Sequence, residues 1–182
     1  MTDELFFDTD CLSSFLWIND TNLLELLYGG NIVILAPVYQ ELSNPSIPHI
    51  KQRVDTLISN KSAIVQQIEA DKEEYRLYRE LINGSKNEKA IGNGEAAGIA
   101  LAKTYNGILA SNNWKDIAPF IEKFNLKHID TGQILLSGLE KGYITESQGN
   151  AIWQKMLKRK RKLPEANFSD YICKYKSNNI TI

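Results

Sequence analysis

The chain has 182 residues, of which 43% are hydrophobic and 24% are charged, and its formal net charge at pH 7 is −1. This length suits one compact domain, because a chain of this size buries about 70% of its unfolded surface. No apolar run approaches the roughly 20 residues that span a bilayer, no signal peptide is visible, and the two cysteines lack metal-ligand spacing. We therefore expect a cytoplasmic protein that is not embedded in a membrane.

Strand and helix patterns alternate along the chain, which indicates βα units and a parallel sheet. Buried-strand patterns occur at 5–8, 31–35, 63–65, 107–111 and 127–130. Helical patterns occur at 11–17, 21–28, 37–42, 54–58, 70–82, 92–103, 131–141 and 145–160. Residues 43–48 predict a break and residues 83–87 a flexible loop. The sequence thus predicts one α/β domain over residues 1–182, with no internal repeat or linker.

The first strand runs directly into two acids. Leu5, Phe6 and Phe7 precede Asp8 and Asp10, and open α/β sheets bind ligands at the carboxyl ends of their strands. Acids two residues apart on an extended segment lie on one side and repel unless a cation or proton separates them. The pair therefore predicts a metal site. Both acids also suit the cap of the following helix, and for Asp10 capping and a supporting role at the metal remain equal alternatives.

Three further acids lie near predicted strand ends. Glu41 follows the second strand, Glu95 opens the helix before the fourth, and Asp116 follows the fourth within five residues. Parallel topology brings such positions together, and carboxylates without His or Cys suit Mg²⁺ or Mn²⁺. Such a site orients water and offsets the charge of a phosphate. The ordinary alternatives are an exposed helical Glu41 and a Glu95 that favours the helix dipole.

Five segments form a recognisable pattern along residues 5–144. They are Asp8-Thr9, Pro37-Val38-Tyr39-Gln40-Glu41-Leu42, Gly94-Glu95-Ala96-Ala97, Leu109-Ala110-Ser111-Asn112-Asn113-Trp114-Lys115-Asp116, and the stretch 130–144. In this order they resemble the PIN-domain family of metal-dependent nucleases, which includes the toxins of many bacterial toxin–antitoxin pairs. The resemblance implies a three-layer α/β/α sandwich around a mostly parallel sheet of about five strands. Residues 145–182 would form a helical C-terminal extension.

The resemblance also implies the activity, which is cleavage of RNA with Mg²⁺ or Mn²⁺. The catalytic acids and metal ligands that it implies are Asp8, Glu41, Glu95 and Asp116. Many relatives have an Asp after the fourth strand, where this chain has Asn112 and Asn113. Some toxin-like members share the two asparagines and follow them with an acid that matches Asp116. An Asn brings an amide oxygen but no charge, so the number of metals stays open. Ser111, Asn112 and Asn113 would support the site or form the strand-to-helix turn.

The densest run of positive charge, 155–162, lies after the resembling region. Lys158, Arg159 and Arg161 are candidate contacts to the RNA backbone, where each phosphate contact adds salt-sensitive affinity. The ordinary alternative is that cations gather at the C-terminal end of a helix. Further partners that the resemblance implies are an antitoxin covering the acidic site and a second copy of the chain.

Two other functions compete with the ribonuclease. The segment Asp8-Thr9-Asp10 also looks like the start of a haloacid-dehalogenase-type phosphatase, with a nucleophilic first Asp. That family requires a late acidic pair, which Ser111-Asn112-Asn113 does not supply. The other alternative is a PIN fold with a weakened site that serves as a binding module or scaffold.

Overall fold

A five-stranded, all-parallel sheet forms the centre of the protein, whose computed structural model describes residues 3–84 and 89–179. The strands are β1 (Leu5–Phe7), β2 (Ile32–Leu35), β3 (Ala63–Gln66), β4 (Ile108–Ala110) and β5 (Lys127–Ile129). Their order is β3-β2-β1-β4-β5, so β1 is the central strand. All five predicted strands are present, although β1 ends at Phe7, one residue before the predicted end.

Helices flank this sheet and complete the predicted α/β/α sandwich. Those in the described residues are α1 (Thr9–Ile18), α2 (Asn22–Tyr28), α3 (Ala36–Leu42), α4 (Pro48–Ser59), α5 (Glu73–Asn83), α6 (Asn93–Thr104), α7 (Trp114–Phe124), α8 (Thr131–Glu140), α9 (Glu146–Lys158) and α10 (Phe168–Asn179). None of them is long and apolar enough to cross a membrane. The predicted loop at 83–87 lies outside the described residues from position 85 onward.

The register of the central strand places the candidate site residues at one edge of the sheet. Leu5, Phe6 and Phe7 are fully buried, as expected for a parallel strand covered on both faces. Phe7 pairs with Ile34 on one side and with Ala110 on the other. The residues that follow β1, β2 and β4 therefore emerge side by side at the carboxyl edge of the sheet.

Helix α6 lies close against the sheet because its residues are small. It contacts β1, β2 and β4, and a Cβ atom added at Gly98 would lie 2.6 Å from Cδ1 of Leu109. Residues 96–102, mostly alanines, are buried without a break. This close packing places the first turn of α6, with Glu95, beside the end of β1.

Helix α7 was not predicted, α10 was predicted only as part of a helical C-terminal extension, and α4 is longer than predicted. Helix α7 contains Pro119, a residue that normally discourages a helical interpretation. Helix α10 is polar along most of its length, and it packs through Phe168 and Tyr171 against Trp153 of α9. Helix α4 begins at Pro48 rather than near position 54, because proline is tolerated in the first helical turn.

Candidate functional site

Acids from three separate elements line one small cavity at the carboxyl edge of the sheet. The cavity measures about 170 Å³, and its lining residues are Asp8, Thr9, Asp10, Glu41, Gly94 and Glu95. We call it the acidic cavity. Asp8 follows β1, Glu41 belongs to α3 after β2, and Glu95 opens α6. The fold thus brings together three of the four acids that the sequence nominated as catalytic, together with Asp10.

Asp8 is both the cap of α1 and the most buried acid of the cavity. Its Oδ1 accepts a hydrogen bond of 2.7 Å from the amide of Cys11, and the residue is only 3% exposed. Burial raises the pKa of Asp8 to about 7, against the lowering effect of hydrogen bonds from Ser111 and Cys11; the negative charges of Asp10 and Glu95 raise it further. The capping alternative for Asp10 is wrong, since Asp10 lies in the first turn of α1.

Thr9 fixes Glu41 at the mouth of the acidic cavity. The Thr9 hydroxyl donates a short hydrogen bond of 2.5 Å to Oε2 of Glu41. Glu41 itself is exposed, so this bond is what holds its flexible side chain towards α1. Sequence reasoning assigned Thr9 no role, and its position directly after Asp8 was the signal available.

Asn113 links Glu95 to Asp116. Its side-chain nitrogen donates to Oε1 of Glu95 over 3.1 Å and to Oδ2 of Asp116 over 2.9 Å. Asp116 does not line the acidic cavity, and its carboxylate instead reaches the site through this amide. The structure therefore places Asp116 behind Glu95, as a supporting group rather than as a fourth wall of the cavity.

Asn112 bonds to different partners from those of Asn113. Its Oδ1 accepts from the amide of Thr131 over 2.9 Å, and its Nδ2 donates to Oγ of Ser14 over 3.4 Å. These bonds join the segment after β4 to the start of α8 and to the middle of α1. Ser111 accepts from the amide of Asn113 over 3.1 Å and fixes the turn between them. Of the two asparagines, Asn113 is the one that contacts the acids.

A second cavity, of about 110 Å³, adjoins the first. It is lined by Asp10, Ser14, Asn112, Lys160, Arg161 and Lys162, and we call it the basic cavity. Of the predicted RNA contacts, Arg161 lines this cavity, whereas Lys158 and Arg159 are exposed residues outside its lining. Asp10 lies on the wall of both cavities.

The donor set of the acidic cavity has the chemistry of a hard-cation site, although the side chains do not converge on one point. Within residues 3–84 and 89–179, no three His, Cys, Asp or Glu side chains form a group able to hold a metal ion. The same part of the chain contains no salt bridge to Asp8, Glu41 or Glu95. The bonds from Thr9 and Asn113 each occupy one carboxylate oxygen, so a cation would have to draw the second oxygens inward.

Comparison with known proteins agrees with this geometry. A protein-family model described as a PIN domain matches residues 4–177 of the chain. No curated protein matches the chain significantly. The match covers the whole parallel sheet, the acidic cavity and the C-terminal helices α8, α9 and most of α10. The chain therefore belongs to the PIN-domain family, whose members are generally nucleases.

Proposed function

We propose that this protein is a ribonuclease that hydrolyses RNA phosphodiester bonds in the acidic cavity. One observation carries the proposal. Asp8, Glu41 and Glu95 are far apart in the sequence and line a single cavity at the sheet edge where α/β proteins bind their ligands. Membership of a family of nucleases supports hydrolysis in general. The phosphatase alternative rested only on the segment Asp8-Thr9-Asp10, and membership of the PIN-domain family accounts for that segment without it.

The residues proposed to hold Mg²⁺ or Mn²⁺ are Asp8, Glu41 and Glu95. Carboxylate oxygens without nitrogen or sulfur ligands suit these hard cations, and the buried Asp8 lies among other acids rather than beside a basic side chain. When bound, the cation supplies positive charge that activates water and offsets the charge of the phosphate. Thr9 and Asn113 orient Glu41 and Glu95, and Asp116 holds Asn113 in place.

We extend the proposal to the biological setting that the family resemblance implies. The protein would be the cytoplasmic toxin of a toxin–antitoxin pair, and it would act as a homodimer. The pair Asn112-Asn113 followed by Asp116 supports the toxin role, since some toxin-like members share that pattern. The antitoxin would then be a protein that covers the acidic cavity and blocks access of RNA to it.

The test is cleavage of mixed single-stranded and structured RNA with Mn²⁺, Mg²⁺ or a chelator. Wild type is compared with Asp8→Asn, Glu95→Gln and the matched control Glu140→Gln, an exposed acid at the end of α8. We expect metal-dependent cutting that falls at least about 100-fold in the two cavity variants, the upper range for groups that merely support a metal site. The control should cut like wild type.

Two results would contradict the proposal. Equal cutting by all four proteins would indicate a contaminating nuclease. A folded wild type that cuts nothing, with or without added metal, would instead favour the binding or scaffold function. The observation that favours this second function is the neutral Asn113 in contact with Glu95.

A further inference from the structure

We propose that the basic cavity binds a phosphate of the RNA backbone next to the phosphodiester that is cut in the acidic cavity. The inference rests on the proposed ribonuclease function and assigns a binding subsite to the C-terminal segment. It differs from the contacts predicted by sequence, because it replaces Lys158 and Arg159 with Lys160 and Lys162, the residues that line the cavity with Arg161.

The two cavities share one wall on helix α1. Asp10 lines both of them, and Ser14, one turn further along, lines the basic cavity. Positions four apart lie on the same face of a helix, so the two cavities are neighbours on one surface. When one phosphodiester of an RNA strand enters the acidic cavity, an adjacent phosphate of the same RNA therefore lies at the basic cavity.

The chain turns back at the end of α9 to bring its cations there. Lys160 has a left-handed backbone with φ of 58°, and the amide of Arg161 donates to the carbonyl of Met156 over 3.1 Å. This reversal directs the chain beyond the helix end towards α1. Attraction of cations to the helix dipole acts within the last turn, so it does not account for the placement of Arg161 and Lys162.

Arg161 is held in place before any ligand binds. Its Nη1 donates to Oγ of Ser13 over 3.2 Å, its Nε donates to the carbonyl of Arg159 over 3.2 Å, and the guanidinium lies 5.5 Å from the centre of the Trp17 ring. A guanidinium has five N–H donors in a planar fork. These two bonds leave other N–H donors for a phosphate. Because folding already restricts the Arg161 side chain, binding a phosphate costs it little further conformational entropy.

The charge of the cavity fits an anion. Two lysines and one arginine face a single carboxylate, Asp10, among the lining residues. Asn112 and Ser14 already bond to each other over 3.4 Å and to the backbone, so the positively charged groups that can meet an anion here are the three basic side chains. RNA, the proposed substrate, carries one phosphate for each nucleotide. Each phosphate contact with the protein releases condensed counterions.

The experiment compares two double variants, each of which removes two positive charges from the basic segment 155–162. Lys160→Gln with Lys162→Gln changes the basic cavity, and Lys158→Gln with Arg159→Gln is the charge-matched control. Each is made in the Glu95→Gln background, and binding of fluorescein-labelled, mixed-sequence single-stranded RNA is measured by anisotropy with Mg²⁺ at several salt concentrations. Thermal unfolding confirms that every variant is folded.

We expect the Lys160→Gln/Lys162→Gln variant, the cavity pair, to lower RNA affinity about tenfold. The slope of log affinity against log salt concentration should fall by about 0.7 for each lost phosphate contact. The control pair should lower affinity less than about threefold. Arg161→Lys keeps the charge but loses the planar fork, so it should weaken binding with little change in the salt slope.

The outcomes separate this inference from the ribonuclease proposal. Equal losses in the two pairs would overturn the subsite, because net charge alone would then explain binding. A Glu95→Gln parent protein that binds no RNA would overturn it as well. If wild type cuts RNA with metal while the cavity pair binds RNA as well as the control pair does, the ribonuclease stands and the subsite fails. If the cavity pair alone loses affinity but wild type never cuts, the basic cavity binds an RNA phosphate although the ribonuclease proposal fails.

Discussion

The side-chain amide of Asn113 lies 3.1 Å from Oε1 of Glu95 and donates a hydrogen bond to it. The same nitrogen donates to Oδ2 of Asp116 over 2.9 Å. A carboxylate at position 113 would face two other carboxylates and would be repelled by both. The neutral side chain is therefore part of how this site holds Glu95 in place, and not merely the loss of an acid.

This arrangement predicts opposite behaviour for two substitutions of Asn113. Asn113→Ala frees Glu95 and should lower kcat/KM for RNA by about 10- to 100-fold, the usual effect of removing a group that orients a metal ligand. Asn113→Asp places a third carboxylate beside Glu95 and Asp116. Repulsion among the three should lower the melting temperature of the variant in chelator, and added Mn²⁺ should raise it more than it raises that of wild type. Thermal unfolding with and without Mn²⁺ measures this difference.

The matched control for Asn113→Ala is Asn22→Ala, at an exposed position in α2. It should keep both the activity and the metal response of wild type. The role given to Asn113 is wrong if Asn113→Ala cuts RNA at the wild-type rate, or if Asn113→Asp responds to Mn²⁺ no more strongly than wild type does.

The buried carboxyl of Asp8 should make the protein less stable as the pH rises. Burial raises the pKa of Asp8 from 3.8 to about 7, so between these values the folded state retains a proton that the unfolded state has released. The stabilising effect of this proton is complete below about pH 4 and is lost as the pH rises through 7. The loss amounts to at most about 1.4 kcal/mol per pH unit.

Asp8→Asn should remove this dependence while keeping an oxygen that accepts from Cys11. In chelator, urea unfolding at pH 5, 6.5 and 8 should show the variant gaining stability over wild type as the pH rises. The exposed control Asp71→Asn should follow the wild-type profile. Parallel profiles for wild type and Asp8→Asn would contradict the assignment of the pH dependence to Asp8.

The sequence predicted the sheet and the acidic cavity because both depend on local patterns. An apolar triplet that ends in Asp8 indicates a buried strand and its functional end, and the small residues around Glu95 indicate a helix lying close to the sheet. Parallel topology then brings Asp8, Glu41 and Glu95 to one edge without any knowledge of side-chain contacts.

The remaining features depend on conformation that the residue pattern does not carry. Asn112 and Asn113 are identical side chains, and only the backbone of the turn decides which of them reaches Glu95. The position of Arg161 depends on the chain reversal at Lys160. Helix α10 is polar, and its docking depends on aromatic contacts with Trp153, which lies in a different helix.

The two cysteines should differ sharply in reactivity. Cys11 is fully buried beneath Asp8, and burial raises the pKa of its thiol well above the ordinary value. Cys173 lies exposed on α10. Because the thiolate is the reactive form, iodoacetamide at pH 8 should modify Cys173 in the native protein and leave Cys11 intact, as measured by mass spectrometry of peptides. Both should react in urea. Equal labelling rates in the native protein would contradict the buried position of Cys11.

We propose that the C-terminal helices fold together with the sheet as one domain. A Cβ atom at Gly132 would lie 2.3 Å from the ring of Tyr171, whose hydroxyl donates to Asp130 over 2.9 Å. Gly132→Ala should therefore push α10 away from α8 and destabilise the protein by about 1–3 kcal/mol, the usual cost of overpacking.

The second substitution in this test is Tyr171→Ala, which removes the obstructing ring. Gly132→Ala should cost less in that background, since residues in contact do not have additive effects. In urea, tryptophan fluorescence and far-ultraviolet circular dichroism should report one shared transition in every variant, as expected for a single cooperative unit. A separate early fluorescence transition in Gly132→Ala would instead show that one part of the protein unfolds before the rest, and it would contradict the single domain.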